Sequence, residues 1–443
     1  MPSPSSEPRF RLRLRPGRER SIRQGHPWVF SGAVEEIEAI EGAAPGQVGD
    51  VVDAEGRFLA RGTVHPDSQI LCRLLTWENR PIDADFFAER IDRALELREP
   101  LFRSGHTTTY RVLNAEGDEL PGLIADRYHH FLVVQTLTPG MLHFRDLWLD
   151  VLHDRLAPQA IVERGEHGSR EPVGDLGPSG VLRGLMPADP VRVMENGLSF
   201  LVDLMGGQKT GFYLDQRANR ERCAQFVQGR DLLNVFGYTG GFSVYAGHAG
   251  ARRVVEVETS GAARELAREN WLLNSLDPSR LSQQSSDAFE FLRHCTDQFD
   301  VVVLDPPPLA RHRGALEKAL RAYKDLHLHA FRCVRPGGWI FTFSCSQHVE
   351  SDLFQKVVFG ASLDAGARVQ WVERLGPGID HPVHLNHPQG EYLKGMLLRV
   401  LVPGVRKTRP GADTPEARRQ SRAPLSLRPD DEDADEETEE WSE

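Results

Sequence analysis

The run Phe10-Arg-Leu-Arg-Leu-Arg15 alternates apolar with basic residues, so an extended chain would present one apolar face and one face of arginine. Period two is the pattern of a half-buried strand. Short apolar segments at 48–53, 58–63 and 70–75, punctuated by Gly, Pro and Asp, predict more strands and with the first a small β domain over 8–80. From 85 to 98 the spacing becomes helical, with Phe86, Phe87, Ile91, Leu95 and Leu97 available for burial. Strands at 122–125 and 131–136, a helix at 141–156 and a Gly- and Pro-rich loop at 165–180 then predict a small central α+β domain, 81–192.

After Val191 the pattern changes again. VRVMENGLSFLVDL is two alternating strands around Asn196-Gly197, residues that both accept the positive φ of a tight hairpin. Apolar strands then alternate with helices: strands at 232–236, 252–258, 299–305 and 338–344, helices near Val244 and at 261–274, 315–334 and 351–365. Strands this apolar, separated by crossover helices, predict an α/β domain over 193–403 whose mostly parallel sheet is covered on both faces. Ligands of such sheets bind at the carboxyl ends of the strands. Beyond 403 the chain turns to Arg, Pro and Ser and then to acid, and is expected to be disordered.

Composition narrows the class. Of 443 residues 40% are hydrophobic and 26% charged, which suits two or three cored domains. No apolar stretch approaches the roughly 20 residues that span a bilayer, and the start has no apolar signal core, so a membrane location is not expected. Five scattered cysteines, with no Cys-x-x-Cys pair, point to a reducing cytoplasm rather than to disulfides or zinc. The net charge of −11 looks hostile to nucleic acid, yet residues 430–443 carry ten acids and no base, and without them the balance is −1. Seven arginines between Arg9 and Arg23 and a second basic run from Arg406 to Arg428 are left to meet phosphate, or to be no more than a solvated strand face and a linker.

Candidate chemistry gathers at the strand ends. Asn234-Val-Phe236-Gly237-Tyr238-Thr-Gly240-Gly is a glycine-containing strand-to-helix turn. The second strand ends in Glu258, placed to accept from both ribose hydroxyls; Asp287 at the third suits an adenine amino group; the fourth ends in Asp305-Pro306-Pro307. Each alone reads as a capping or turn residue, but four in order at successive strand ends do not. Dinucleotide binding shares the glycine turn and the following acid, but expects G-x-G-x-x-G and has no use for Asp-Pro-Pro. A cysteine, Cys345, follows the apolar strand Phe341-Thr-Phe-Ser. It is either a small buried hydrophobe or the thiolate that methylation of a pyrimidine C5 requires at C6. Asp305 would then bond the N3 and amino side of cytosine.

The segments GHPWVFSGAV, GQKTGFYLDQR, NVFGYTGGFSV, VETS, DPP, YKDL, FTFSCS, SDLFQK and DHPV with GEYLKG resemble the PUA-domain-containing, S-adenosylmethionine-dependent 23S rRNA cytosine-C5 methyltransferases. They span nearly the whole chain except its tail. The resemblance implies a PUA-like RNA-binding domain at the N-terminus, a Rossmann-like class I methyltransferase domain, a homodimer and Cys345 as nucleophile with Asp305 as its catalytic partner. It also implies that Tyr213, Asp215 and Gln216 help close the cofactor pocket, alongside Asn234, Phe236, Gly237, Tyr238, Gly240, Glu258, Asp287 and Asp305. RNA contacts are expected from Arg11, Arg13, Arg15, Trp28, Lys209, Arg217 and Lys324. No metal is expected: His381, His384 and His387 fall in a loop-like stretch that contains Pro382 and Pro388. The chain departs from the family in having Pro308 and Leu309 after Asp-Pro-Pro, which makes the base less secure than the methyl transfer. Methylation of a purine nitrogen, and a silent RNA-binding assembly factor, are the alternatives.

Overall fold

The computed structural model describes residues 7–165, 180–185, 190–207, 210–310 and 312–405. The basic run after 406, the acidic tail and Lys209 lie outside the described residues.

Alternation does what it predicts at the start of the chain. Phe10, Leu12 and Leu14 are buried while Arg11, Arg13 and Arg15 take the outer side of the strand Phe10–Leu14. That strand lies within a six-stranded sheet, paired parallel to Val48–Val52 and antiparallel to Val34–Ala39. A second sheet has five strands, Thr109–Asn114, Leu123–Tyr128, Phe131–Thr136, Ala160–Glu163 and Gly180–Gly184. The helix Ala84–Phe102 begins at Asp83, whose carboxylate accepts from the Phe86 amide. The helix expected at 141–156 is divided into Pro139–His143 and Arg145–Leu156. Buried Trp148 donates its indole N–H to the Met141 carbonyl at 2.8 Å, and Phe144 at the junction is non-helical.

After the two-stranded hairpin Val191–Glu195 and Leu198–Val202 comes a seven-stranded sheet. Its strands are β1 (Asp231–Val235), β2 (Arg253–Val257), β3 (Leu281–Gln284), β4 (Phe299–Leu304), β5 (Val334–Ser344), β6 (Arg368–Leu375) and β7 (Lys394–Val402). Around it lie α1 (Arg217–Ala224), α2 (Gly241–His248), α3 (Gly261–Leu273), α4 (Ala288–His294), α5 (Leu316–Cys333) and α6 (Ser351–Ala365). The order across the sheet is β3-β2-β1-β4-β5-β7-β6; the first five strands are parallel, and β7 enters antiparallel between β5 and β6. Apolar residues fill both faces, with Leu232, Val301 and Phe341 in one core and Leu233, Val302 and Ile340 in the other. β6 and β7 are additions to the sequence reading, which expects a strand to end before Asp287 but gives β3 no range.

The five- and seven-stranded sheets are tied by charge as well as by packing. Buried Asp380, in the loop between β6 and β7, accepts from the Arg217 guanidinium at 2.5 Å and from the Arg111 amide at 3.0 Å. Its carbonyl accepts from Arg98 at 2.9 Å, and Arg98 also grips Asp118 with both ends of its fork. Burial works against the Asp380 charge, but His381, Arg217 and the Arg111 amide hold the carboxyl below its ordinary range.

His327 fixes α5 to β5. Its Nδ1 donates to the Tyr323 carbonyl at 2.6 Å, which leaves Nε2 to accept from the Thr342 hydroxyl at 2.7 Å, the neutral form of the ring. Burial pushes the imidazole down to about 4. The unfolded chain, with an ordinary histidine near 6.5, therefore takes up the proton first, and stability is lost as pH falls from about 6.5 towards 4. Between pH 7 and pH 5 this one residue should remove about 2 kcal/mol of stability. Urea unfolding should show the gap between wild type and His327→Gln narrowing by that amount over the interval; a gap independent of pH would contradict the neutral buried ring.

Candidate active site

The turn after β1 is built from unusual backbone. Phe236 and Tyr238 hold φ of 65° and 47°, and Gly240 holds 80°. Bulky side chains rarely adopt positive φ, so the surroundings must impose it. The Gly237 amide donates to the Val257 carbonyl at 3.0 Å, the Tyr238 amide to Glu258 Oε2 at 3.0 Å, and Asn270 of α3 donates to the Thr239 carbonyl at 3.0 Å. A Cβ at Gly237 would collide with the Glu256 side chain. Glu256 is itself fully buried, accepts from Ser243 at 2.5 Å and from Gln283 at 3.0 Å, and is pushed up by burial. The sequence reading missed this second acid, whose only signal was an acidic residue inside an apolar strand.

The turn borders a cleft at the carboxyl ends of β1, β2, β4 and β5. Phe236, Gly237, Tyr238, Glu258, Asp287, Asp305 and Cys345 all line it, with Tyr213, Asp215 and Gln216 along another wall. Glu258 is fixed by the amides of Tyr238 and Ser260, the latter at 2.9 Å on Oε1. Asp287 caps α4, one carboxylate oxygen accepting from the amides of Phe289 and Glu290. Asp215 accepts from the Tyr392 hydroxyl at 2.6 Å. Two expected residues lie beside the cleft: Asn234 is buried in β1 and donates to Ser243, and Gly240 packs on Ala267 as the cap of α2.

Asp305 and Cys345 follow the neighbouring strands β4 and β5, which brings the two to one corner of the cleft. The Cys345 thiol, half-buried, donates to the Pro306 carbonyl at 3.6 Å. Burial, together with the charges of Asp305 and Cys345, raises the nearby Tyr213 hydroxyl far above its usual range, so it stays protonated. Ser346 anchors the altered loop: its hydroxyl accepts from the amides of Leu309 at 3.0 Å and Ala310 at 3.1 Å and meets the Tyr323 hydroxyl at 3.2 Å. Lys394, the first residue of β7, is buried beside Cys345 and donates to the Ser346 carbonyl at 2.8 Å. Arg220 also lines the cleft, ion-paired to buried Glu195 at 2.8 Å. Neither Lys394 nor Arg220 was singled out from sequence, since neither is adjacent in the chain to the strand ends it serves.

The residues expected to meet RNA are scattered. Arg217 is a correction: it is buried and ion-paired to Asp380, so it serves the interior rather than a phosphate. Lys324 lies on the outer side of α5, paired with Asp364 at 2.8 Å. Arg13 faces Glu36 and Glu38 across the sheet, while Arg11 and Arg15 are exposed. Trp28 is half-buried, donates its indole N–H to Glu116 at 2.9 Å, and packs against His387. His381 sits on Asp380 and His384 near Glu119, so the three histidines have separate partners; among the described residues no cluster suited to a metal is found. Nor is any described helix long and apolar enough to cross a membrane.

A PUA-like domain model matches residues 12–77, and an S-adenosylmethionine-dependent methyltransferase model matches residues 181–382. Two solved structures share the fold at low identity. One, from Streptococcus mutans and assigned to the SAM-dependent methyltransferases, has a TM-score of 0.75 at 20% identity, covering 88% of this chain and 100% of the other. The second, solved in complex with SAH, has a TM-score of 0.76 at 21% identity with the same coverage. Fold and domain models together define an S-adenosylmethionine-dependent methyltransferase with a PUA-like β domain. Ribosomal RNA large subunit methyltransferase I of Shewanella denitrificans is 46% identical over 402 residues, covering 88% of this chain and 99% of that protein. The protein of the same name from Cronobacter sakazakii is 41% identical over 395 residues, with the same coverage. The chain belongs to the ribosomal RNA large subunit methyltransferase I family.

The cleft fits the cofactor. Carboxylates at two successive strand ends suit ribose and adenine, and close backbone at Gly237 leaves room for the rest. Glu258→Ala should weaken binding of S-adenosylhomocysteine by about 1–3 kcal/mol, since it removes charged hydrogen-bond acceptance and also releases the Tyr238 amide. Calorimetry reads this directly; unchanged affinity would put the ribose elsewhere.

Proposed function

We propose that the chain methylates C5 of a cytosine in 23S ribosomal RNA through a covalent adduct between Cys345 and C6. The reading is supported above all by Asp305 and Cys345 meeting at the ends of adjacent strands in the cleft that suits the cofactor. Methylation of a purine nitrogen would need no thiol there. The names of the relatives supply ribosomal RNA as the substrate class.

Bound S-adenosylmethionine supplies an electrophilic methyl group. The Cys345 thiolate gives its electron pair to C6, so the electrons of the C5–C6 double bond become available at C5 to take up the methyl. Asp305 accepts from the exocyclic amine and, as electron density builds at N3 in the adduct, favours the uptake there of a proton from water, which is given back when the ring is restored. Loss of the C5 proton to base or water then expels the thiolate and restores the ring. Tyr213, kept protonated, covers this corner against water. RNA approaches the PUA-like sheet through the exposed Arg11 and Arg15, with Arg13 partly neutralised by its glutamates. The same reading includes residence in the cytoplasm and a homodimer, which sedimentation of the full chain tests.

Cys345→Ala should bind S-adenosylhomocysteine normally yet lose methylation by roughly 10³-fold or more. Wild type should be trapped on RNA carrying 5-fluorocytidine, because fluorine cannot leave as a proton does. Cys333→Ala should still be trapped: Cys333 is fully buried, its thiol on the His329 carbonyl. Full methylation by Cys345→Ala, with no adduct from wild type, would remove the carbon mechanism.

Replacing Arg11 and Arg15 together should lower RNA affinity and reduce the slope of affinity against salt by roughly two, about one for each phosphate no longer neutralised. A filter-binding salt series measures it; an unchanged slope would move the RNA path off this strand.

A further inference from the structure

Resting on Cys345 as the nucleophile, a thiol must lose its proton beside Asp305, a carboxylate that opposes a second negative charge in the same corner. Something must favour the anion. The antiparallel register of β5 and β7 sets Ser344 opposite Lys394, which delivers a lysine to the residue pair that flanks the thiol. Lys394 is only 6% exposed, and its ammonium donates to the Ser346 carbonyl, immediately after Cys345. A buried ammonium is costly unless paired. Among the described residues no carboxylate lies within 4.0 Å of it, so one neutral carbonyl accounts for a single one of its three donors. An anion next to Ser346 would complete the set.

We propose that the Lys394 ammonium is the counter-charge that holds Cys345 as a thiolate. On ionisation the S–H bond breaks, the proton passes to water, and the electron pair stays on sulfur facing the ammonium. The same pair then forms the bond to C6. Lys394 touches neither substrate nor cofactor in this account; it is a positioning residue acting through the thiol. Burial pulls the lysine down to about 8, and Cys345 is the neighbour that most opposes the fall. The other groups facing the pair have defined signs. Asp305 disfavours the thiolate, Tyr213 and Tyr323 are held protonated by burial and by their acidic neighbours, and Glu350 and Glu391 favour the ammonium. The carbonyl bond to Ser346 sets where the charge sits, at the root of the Cys345 side chain.

The test reads the thiol without RNA. Full-length wild type, Lys394→Met and Lys394→Arg, each checked for binding of S-adenosylhomocysteine, are alkylated with iodoacetamide from pH 5.5 to 9.5, and the peptide holding Cys345 is followed by mass spectrometry. Lys394→Met should move the alkylation midpoint up by about one pH unit or more, or about tenfold slower labelling at neutral pH, and Lys394→Arg should restore most of it. A Lys394→Met profile that overlays wild type overturns the proposal, as does a Lys394→Arg profile as shifted as that of Lys394→Met. Failure of the nucleophile reading looks different: wild type would give no adduct on 5-fluorocytidine RNA while the alkylation midpoint still moved with Lys394.

Discussion

A charged carboxylate buried away from solvent, that of Asp380, is the constraint on which the arrangement of the described residues turns. Its acceptors hold an arginine that opens α1, a main-chain amide of the five-stranded sheet, and, through its carbonyl, a second arginine from the long helix Ala84–Phe102. Removing Arg217 would strip the buried carboxylate of its closest guanidinium, which is among the costlier faults a protein can carry. The wall of the cleft that begins at Tyr213 therefore cannot shift independently of the sheet behind it. Asp215 and Tyr392 repeat the device on a smaller scale, joining that wall to the approach to β7.

On this frame the cleft collects strain and charge together. Positive φ at Phe236 and Tyr238 is sustained by amides bonded to Glu258 and to the Val257 carbonyl, so an acid that lines the cleft also holds the turn. Glu256, two positions earlier, supports the same turn from inside. Glu256 inside β2 is thus buried behind the turn, while Glu258, just past the end of the strand, lines the cleft.

What can be read from the sequence follows from how local each signal is. Parallel strands buried on both faces announce themselves as apolar runs, and acids at their ends fall in order along the chain, so the α/β fold and most of the cleft are legible. β3, with the sequence LSQQ, and β6, an exposed edge reading RVQWVERL, carry no such contrast. Arg217 looks like a phosphate ligand because its own neighbourhood is polar; its partner stands 163 positions away. Lys394 is invisible as a group of the site because only the antiparallel register places it opposite Ser344. Trp28 reads from sequence either as part of an aromatic cluster or as an RNA contact, and its bond to Glu116, 88 positions away, is not legible there.

The late entry of β7 has a consequence for the order in which the protein is made. A chain emerging from its N-terminal end can assemble β1 to β5, with their apolar faces and strand-end acids, before residue 394 has been synthesised. Until the last strand slots in beside β5, Lys394 is missing from the corner that holds Cys345 and β6 has no strand to pair with. Domains usually consolidate from the N-terminal side during synthesis, so the corner that holds Cys345 is completed late. On the mechanism proposed above, a chain stalled before β7 lacks the ammonium that readies the thiol.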